Sequence, residues 1–134
     1  MKKLSFLLLA LCLSFTSCSK DESSREEEQA RLDKMYDELI EYSQVNSKTC
    51  TNPEEWNILK YGESVCSGFY IYNKSVDAAV FKKKVDSYRE ARSKFDAKWG
   101  VYYDAYPCET VVMNTRISCV EGKATIVYDN TKGQ

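Results

Sequence analysis

The side chains that most often carry out chemistry are few in this sequence. Its 134 residues include no histidine, which removes the commonest general base and the commonest metal ligand. Serine and threonine are plentiful, but a hydroxyl nucleophile needs a base within reach. Without histidine this base would be a lysine or a carboxylate, and nothing in the sequence singles out one such pair. Adjacent carboxylates such as Glu54 and Glu55 point apart on a helix and suit its first turn. We therefore expect a protein that is not an enzyme.

Cysteine is the reactive residue that the chain does use, with six copies. A zinc site would need a C-x-x-C spacing or histidine partners, and the sequence has neither. The five glycines form no phosphate-binding loop. We therefore predict no metal site and no cofactor.

The N-terminal residues have the pattern of a secretory signal. Lys2 and Lys3 precede an apolar run of 12 residues, 4–15, which is too short for the roughly 20 residues that span a membrane. Cys18 follows the small residue Ser17 at the end of this run. The stretch resembles the lipobox of bacterial lipoproteins, which implies that residues 1–17 are a removed signal peptide and that Cys18 carries lipid. The alternative is an ordinary secretory signal that is cut near Ser17 and leaves Cys18 as a free thiol.

The residues after Cys18 refine the predicted location. Lys20, Asp21 and Glu22 resemble the acidic surface-export signal of Bacteroidetes lipoproteins. The resemblance implies a protein held in the outer membrane through the lipid on Cys18 and exposed at the cell surface. The alternative interpretation is a solvated linker that happens to be acidic.

The remaining chain has the size of one domain. Removal of residues 1–17 leaves 117 residues with 17 basic and 20 acidic side chains, a net charge of −3. Such a balance, without a clustered basic face, argues against nucleic acid as a partner. We assign residues 18–29 to a lipidated tether, because they are rich in Ser, Glu and Lys, and residues 30–134 to a single domain.

Four cysteines remain in the predicted mature domain beside the lipidated one, namely Cys50, Cys66, Cys108 and Cys119. An even number in a small exported domain predicts two disulfides. Four cysteines allow three pairings, and we favour Cys50–Cys66 with Cys108–Cys119 because each pair brackets a short segment between turn signals.

Apolar spacing predicts two long amphipathic helices. The first begins within Glu26–Glu28 and fades near Val45, and its apolar stripe comprises Leu32, Met35, Tyr36, Leu39, Ile40 and Tyr42. The second has Ser75 as its candidate N-cap and Gly100 as its stop, and its stripe comprises Phe81, Val85, Tyr88, Phe95 and Trp99. The first helix is mainly acidic and the second mainly basic, which suits antiparallel or crossed packing of one on the other. Two independently solvated helix faces explain the same charges equally well.

The strands are predicted from short runs of aromatic and β-branched residues. Asn52 and Pro53 indicate a single helical turn, and strands follow at 58–61 and 69–72. Further strands are expected at 110–113 and on both sides of the turn 121–123. The predicted class is α+β, with the two helices packed on one small antiparallel sheet of three to five strands.

Tyrosine is unusually frequent, with ten copies. Its ring is apolar and its hydroxyl is polar, so it serves both cores and protein interfaces. Core packing is the first explanation, and a recognition surface is the second. The candidate protein-binding residues are Tyr70, Tyr72, Trp99, Tyr102, Tyr103 and Tyr106.

The domain also resembles a group of small Bacteroidetes lipoproteins without an established activity. The resemblance is carried by Cys50-x-Asn52-x-x-x-Trp56, Gly62-x-x-x-Cys66-x-Gly68 and Phe95-x-x-Lys98-Trp99-Gly100. Ser67 stands where the group's pattern leads us to expect glycine. The likeness implies a cysteine-framed fold and transfers no site.

Two functional hypotheses follow from these features. The first is a surface or periplasm-facing lipoprotein that binds another protein, for example as an inhibitor or immunity factor against a secreted hydrolase or toxin. The second is a structural or assembly accessory of an outer-membrane complex.

Overall fold

The described residues form two helices and two β-hairpins. The computed structural model describes residues 23–62, 68–101 and 114–129. The elements are α1 (Arg25–Ser43), a 3-10 turn (Pro53–Glu55), β1 (Trp56–Lys60), β2 (Phe69–Asn73), α2 (Ala78–Trp99), β3 (Asn114–Val120) and β4 (Lys123–Asp129). The α+β class is confirmed. No helix in the described ranges combines the length and the apolar character needed to cross a membrane.

Helix α1 begins where the sequence supplies a capping box. The Ser24 hydroxyl accepts the backbone N–H of Glu27 at 3.2 Å, and the Glu27 carboxylate accepts the N–H of Ser24 at 3.0 Å. The helix therefore includes residues 25–29, which the sequence analysis placed in the tether. Of its predicted apolar stripe, Leu32 and Leu39 are buried, whereas Tyr36 is exposed.

Helix α2 has Asp77 as its N-cap, and the prediction of Ser75 was wrong. The Asp77 carboxylate accepts the N–H groups of Ala79 and Val80 at 2.8 and 3.0 Å. The backbone N–H of Ser75 instead donates to the side chain of Asn73 at 3.0 Å, which holds residue 75 in the preceding turn. Gly100 ends the helix in the left-handed conformation with φ 63°, as predicted.

The two helices pack against each other in antiparallel directions. The start of α1 meets the end of α2 through Glu28 and Lys98, and the end of α1 meets the start of α2 through Gln44 and Ser75. Between these ends lies a buried cluster that joins both helices to β2, formed by Leu39, Tyr72, Phe81 and Val85. Of the two explanations that the opposite net charges allowed, the structure has the one in which the helices pack on each other.

Glu28 joins the start of α1 to the end of α2, and its carboxylate accepts three side-chain hydrogen bonds. Its carboxylate accepts from Lys98 Nζ at 2.7 Å, from the Trp99 indole Nε1 at 2.9 Å and from the Ser23 hydroxyl at 2.6 Å. The hydrogen bond from Lys98, followed by those from Ser23 and Trp99, lowers the pKa of Glu28 to about 2 from its ordinary 4.5. The ionised carboxylate is thus favoured in the folded state.

This pKa shift predicts a loss of stability in acid that depends on Glu28. A lowered folded-state pKa contributes stability above pH 4.5, and the contribution is lost as the pH falls from 4.5 towards 2. In Glu28→Gln the thermal midpoint should fall less between pH 7 and pH 3 than in the native chain. Glu38→Gln is the control, because the Glu38 carboxylate is exposed and 3.9 Å from Lys34. An identical pH dependence in the native chain and Glu28→Gln would contradict the assignment.

The four described strands form two separate sheets of two strands each, and the prediction of a single sheet was wrong. Each strand pairs with its neighbour in sequence, β1 with β2 and β3 with β4, both antiparallel. The hairpins then meet through their apolar faces: Trp56 and Ile71 of the first pack in one cluster with Ile117 and Ala124 of the second. The two hairpins therefore pack face to face as two layers, with these apolar side chains between them.

Both hairpins follow local sequence signals. The predicted turn before Lys123 consists of Glu121 and Gly122, with φ values of 51° and 77°, a pair of left-handed residues that favours tight hairpins. Strands at 56–60 and 69–73 lie within two residues of their predicted bounds. The predicted single helical turn is a 3-10 turn, which begins with Pro53 after the Asn52 cap. The strand predicted at 110–113 lies outside the described residues.

A disulfide joins Cys50 to Cys119, so the predicted pairs Cys50–Cys66 and Cys108–Cys119 were wrong. The backbone N–H of Cys50 donates to the carbonyl of Gly122 at 2.7 Å, which holds the segment after α1 against the turn of the second hairpin. Cys119 lies on that hairpin beside the turn. The bond therefore spans the fold, whereas the prediction had kept each bond within a short segment. Cys66 and Cys108 lie outside the described residues.

Candidate protein-binding surface

The structure places three of the six predicted binding residues. Tyr72 is buried beneath Phe81, with ring centroids 4.8 Å apart, and belongs to the core. Trp99 is half-buried and donates its indole N–H to Glu28. Tyr70 is also half-buried. The predicted residues Tyr102, Tyr103 and Tyr106, the lipidation site Cys18 and the export residues Lys20, Asp21 and Glu22 lie outside the described residues.

Strand alternation explains the different environments of the aromatic residues on the first hairpin. Tyr70 and Tyr72 share the face of β2 that packs on the helices, and Ile71 points to the second hairpin. Tyr72 lies at the centre of the helix contact, whereas Tyr70 lies nearer the end of the hairpin beside Tyr61. Only Tyr70 is therefore placed near the surface.

Tyr70 belongs to a row of four tyrosines that crosses this side of the protein. Its ring meets that of Tyr61 edge to face at 6.0 Å. Tyr88 of α2 packs against the same buried cluster as Tyr61 and Tyr70, and the rings of Tyr88 and Tyr36 are 5.4 Å apart. We call Tyr61, Tyr70, Tyr88 and Tyr36 the tyrosine row. Tyr36 is its most exposed member, at 43%.

Arg89 is packed at the Tyr61 end of the row. Its guanidinium carbon lies 4.1 Å from the centroid of the Tyr61 ring, a distance typical of a stacked cation–π contact. On another side it approaches Gly68, where a Cβ would lie 2.7 Å from Arg89 Nη1. Gly68 also has φ +92°, which other residues rarely adopt. The backbone conformation therefore favours glycine here, and a Cβ at this position would displace the end of the Arg89 side chain.

Asp86 fixes the position of the Tyr61 side chain in the tyrosine row. The Tyr61 hydroxyl donates to one Asp86 oxygen, and Lys82 Nζ donates to the other at 2.7 Å. Burial, together with the hydrogen bond to Asp86, raises the pKa of Tyr61 above its ordinary value. The hydrogen bonds from Lys82 and then Tyr61 lower the pKa of Asp86. Tyr61 thus stays neutral and Asp86 stays ionised at neutral pH, which fixes both in place and suits neither for proton transfer.

Four members of this surface were not predicted from the sequence, namely Tyr61, Tyr88, Tyr36 and Arg89. Tyr61 directly follows β1, Tyr88 and Arg89 lie on α2, and Tyr36 lies on α1, so only the packing of these elements brings them together. The frequency of tyrosine was the available signal, but it gave no means of choosing which residues are exposed.

The arrangement is suited to recognition of another macromolecule. Tyrosine and arginine are the residues enriched at protein interfaces and at their energetic centres. Most of the row is half-buried and held by ring contacts, so less side-chain freedom is lost on binding. In the described parts of the chain, no group of three or more Cys, Asp or Glu side chains is placed to hold a metal ion.

Comparison of the chain with protein-family models, curated proteins and solved structures finds no match.

Proposed function

We propose that this chain is a lipid-anchored protein-binding module of the bacterial outer membrane, exposed at the cell surface. The tyrosine row with Arg89 is the observation that supports the binding role. The proposed anchor rests on the resemblance of residues 15–22 to a lipobox followed by an acidic export signal. In this proposal the partner is a protein that reaches the cell from outside, such as a secreted hydrolase or toxin, and the chain blocks it.

The tyrosine row combines apolar and polar groups in a way that favours a protein partner. Its rings present apolar edges, and its hydroxyls and the nearby cations Lys82 and Arg89 supply polar groups. A surface of this mixed character buries well against a partner without exposing a large apolar patch in its absence. Tyr36, at the exposed end, is the residue with most area left to bury.

Tyr36→Ala should weaken partner binding about tenfold or more, since tyrosine is enriched among the few interface residues whose truncation costs over about 1 kcal/mol. Tyr128→Ala is a matched control, because Tyr128 is 45% exposed but lies on β4, outside the row. A photoreactive residue at position 36 or 128 in living cells would capture partners, and purified partner would then be titrated with each variant. Equal affinities of the two variants would contradict binding at the row. A captured partner that is itself a resident outer-membrane protein would favour the role of assembly accessory.

Cys18→Ala should release the protein from the membrane fraction, because the acyl chains supply the apolar contact with the bilayer. The measurement is fractionation of cells that express the native chain or the variant, with Cys12→Ala as the matched control. A Cys18→Ala variant that still fractionates with the outer membrane would show that the lipobox interpretation is wrong.

We further propose a second disulfide, Cys66–Cys108. With Cys50 and Cys119 joined, it is the one pairing left among the four cysteines of the domain. Peptide mapping without reduction would recover both linked peptides.

A further inference from the structure

We infer that the groove between α1 and α2, on the side away from the two hairpins, binds an acidic amphipathic helix of a partner protein. The groove holds two cavities, of about 350 and 240 Å³. The larger lies between Met35 of α1 and Ser87 of α2, and the smaller between Leu32 of α1 and Ala91 of α2. Leu32 and Met35 are about one turn apart, as are Ser87 and Ala91, so the two cavities adjoin.

The groove and the hairpins lie on different sides of the helix pair. Tyr36 of α1 and Phe81 of α2 line a separate cavity that β2 and β4 complete. Met35 and Val80 directly precede these two residues, and each helical residue is turned about 100° from its neighbour. Tyr36 of the tyrosine row therefore points to another side of α1 than the groove. A partner in the groove leaves the tyrosine row accessible, so binding at the two surfaces is tested independently.

The floor of the groove is apolar and only partly covered. Leu32 and Phe95 close its inner side and are each 4% exposed. Val80, near one end, is 42% exposed, and Met35 of the same cavity is half-buried. Methionine adapts its unbranched side chain to different contacts. Apolar side chains at this spacing on two helices match the seam that a third amphipathic helix covers.

Positive charge exceeds negative charge along the edges of the groove. The cations that line the two cavities are Arg31, Lys83, Lys84, Lys94 and Lys98, and the carboxylates are Glu28 and Glu38. Lys94 and Lys98 have carboxylate partners. For Arg31, Lys83 and Lys84, no carboxylate in the described ranges lies within ion-pair distance. Glutamates on the flanks of a partner helix complement these three cations.

The concave shape favours a helix over a membrane surface. The ridge of a third helix fits the groove between two packed helices at an axial distance of about 8–10 Å. From Val80 to Lys98 the groove is about 27 Å long, which suits a partner helix of about 18 residues. A face that lies on a membrane projects its apolar side chains outward. Leu32 and Phe95 are instead enclosed at the floor.

The probe is a synthetic peptide of about 18 residues with a leucine stripe at helical spacing and glutamates on both flanks. In the ¹⁵N-labelled protein, expressed from the whole sequence, the amide signals of Val80 and Ala91 should shift saturably with this peptide, and the peptide should gain helicity by circular dichroism. Two control peptides carry lysines in place of the glutamates or the acidic sequence in scrambled order. Both should bind at least about tenfold more weakly. No saturable shift with the acidic peptide, or equal affinity for the scrambled one, would overturn the inference.

Two other occupants are distinguished by the same signals. Vesicles of phosphatidylglycerol that perturb Val80 and Ala91, while the acidic peptide does not, would assign the groove to a membrane surface. A dimer of the chain in sedimentation that Val80→Glu dissociates, again without binding of the peptide, would assign it to a second copy. Either result would overturn the inference.

Paired variants test the floor and the edge of the groove. Val80→Glu places an unpaired charge on the apolar floor and should weaken binding of the acidic peptide at least about tenfold. Val120→Glu is its control, because Val120 is 47% exposed on β3, outside the groove. Lys83→Glu reverses a charge at the edge and should also weaken binding, whereas the same change at the exposed Lys123 on β4 should not. Unchanged affinity in both Val80→Glu and Lys83→Glu, with the folds intact by circular dichroism, would also overturn the inference.

Discussion

Replacement of Phe81 by alanine is expected to destabilise the fold by about 3–5 kcal/mol. Phe81 is 1% exposed, and its ring lies 4.8 Å from that of Tyr72. It belongs to the cluster that joins α2 to α1 and to β2, so its loss opens a cavity where three elements meet. Because a domain of this size is stable by only about 5–15 kcal/mol, the variant should lose a large share of its stability.

Urea denaturation followed by circular dichroism measures this effect, and Val80→Ala provides the control. Val80 precedes Phe81 in the same helix but is 42% exposed, so its truncation removes few contacts. The midpoint for Phe81→Ala should fall strongly, while that for Val80→Ala should move little. The slope of the free energy against urea should stay unchanged in both, since the chain exposes a similar surface on unfolding. A loss of less than about 1 kcal/mol in Phe81→Ala would contradict the placement of this cluster at the centre of the fold.

Features of the fold that depend on neighbouring residues were predictable from the sequence. Gly100 ends α2 because the left-handed conformation is easiest for glycine, and the turn at Gly122 follows the same rule. Phe81 and Val85 recur at helical spacing and are both buried. The start of α2 was misplaced because Ser75 and Asp77 are both good caps, and only the contact of Ser75 with Asn73 decides between them.

Features that depend on contacts between distant segments were not predictable. The spacing of the cysteines favoured short loops, whereas the backbone bond from Cys50 to Gly122 places residue 50 against the second hairpin. The same limit applied to the tyrosines. Tyr70 and Tyr72 are equivalent in the strand pattern, and only the position of Phe81 above Tyr72 makes one of them core and leaves the other half-buried in the row.

The disulfide between Cys50 and Cys119 is expected to contribute about 4 kcal/mol to the free energy of unfolding. It closes a loop with a sequence separation of 69, and the entropy that this closure removes from the unfolded chain grows slowly with loop length. The double variant Cys50→Ala with Cys119→Ala removes the link and keeps both positions apolar within the cluster around Trp56. Urea denaturation of this variant gives the loss directly.

The mechanism of this loss differs from that in Phe81→Ala, and the slope of the free energy against urea separates the two. A chain without the Cys50–Cys119 link expands further when it unfolds, so it exposes more surface and the slope should rise. Ser118→Ala, next to Cys119 on β3, controls for disturbance of the strand itself and should change neither stability nor slope appreciably. A loss of about 4 kcal/mol with an unchanged slope would place the effect in the folded packing around Cys50 instead of the unfolded chain. A loss below about 1 kcal/mol would mean that the hairpin stays docked on the segment after α1 by its other contacts, such as the bond between Cys50 and Gly122.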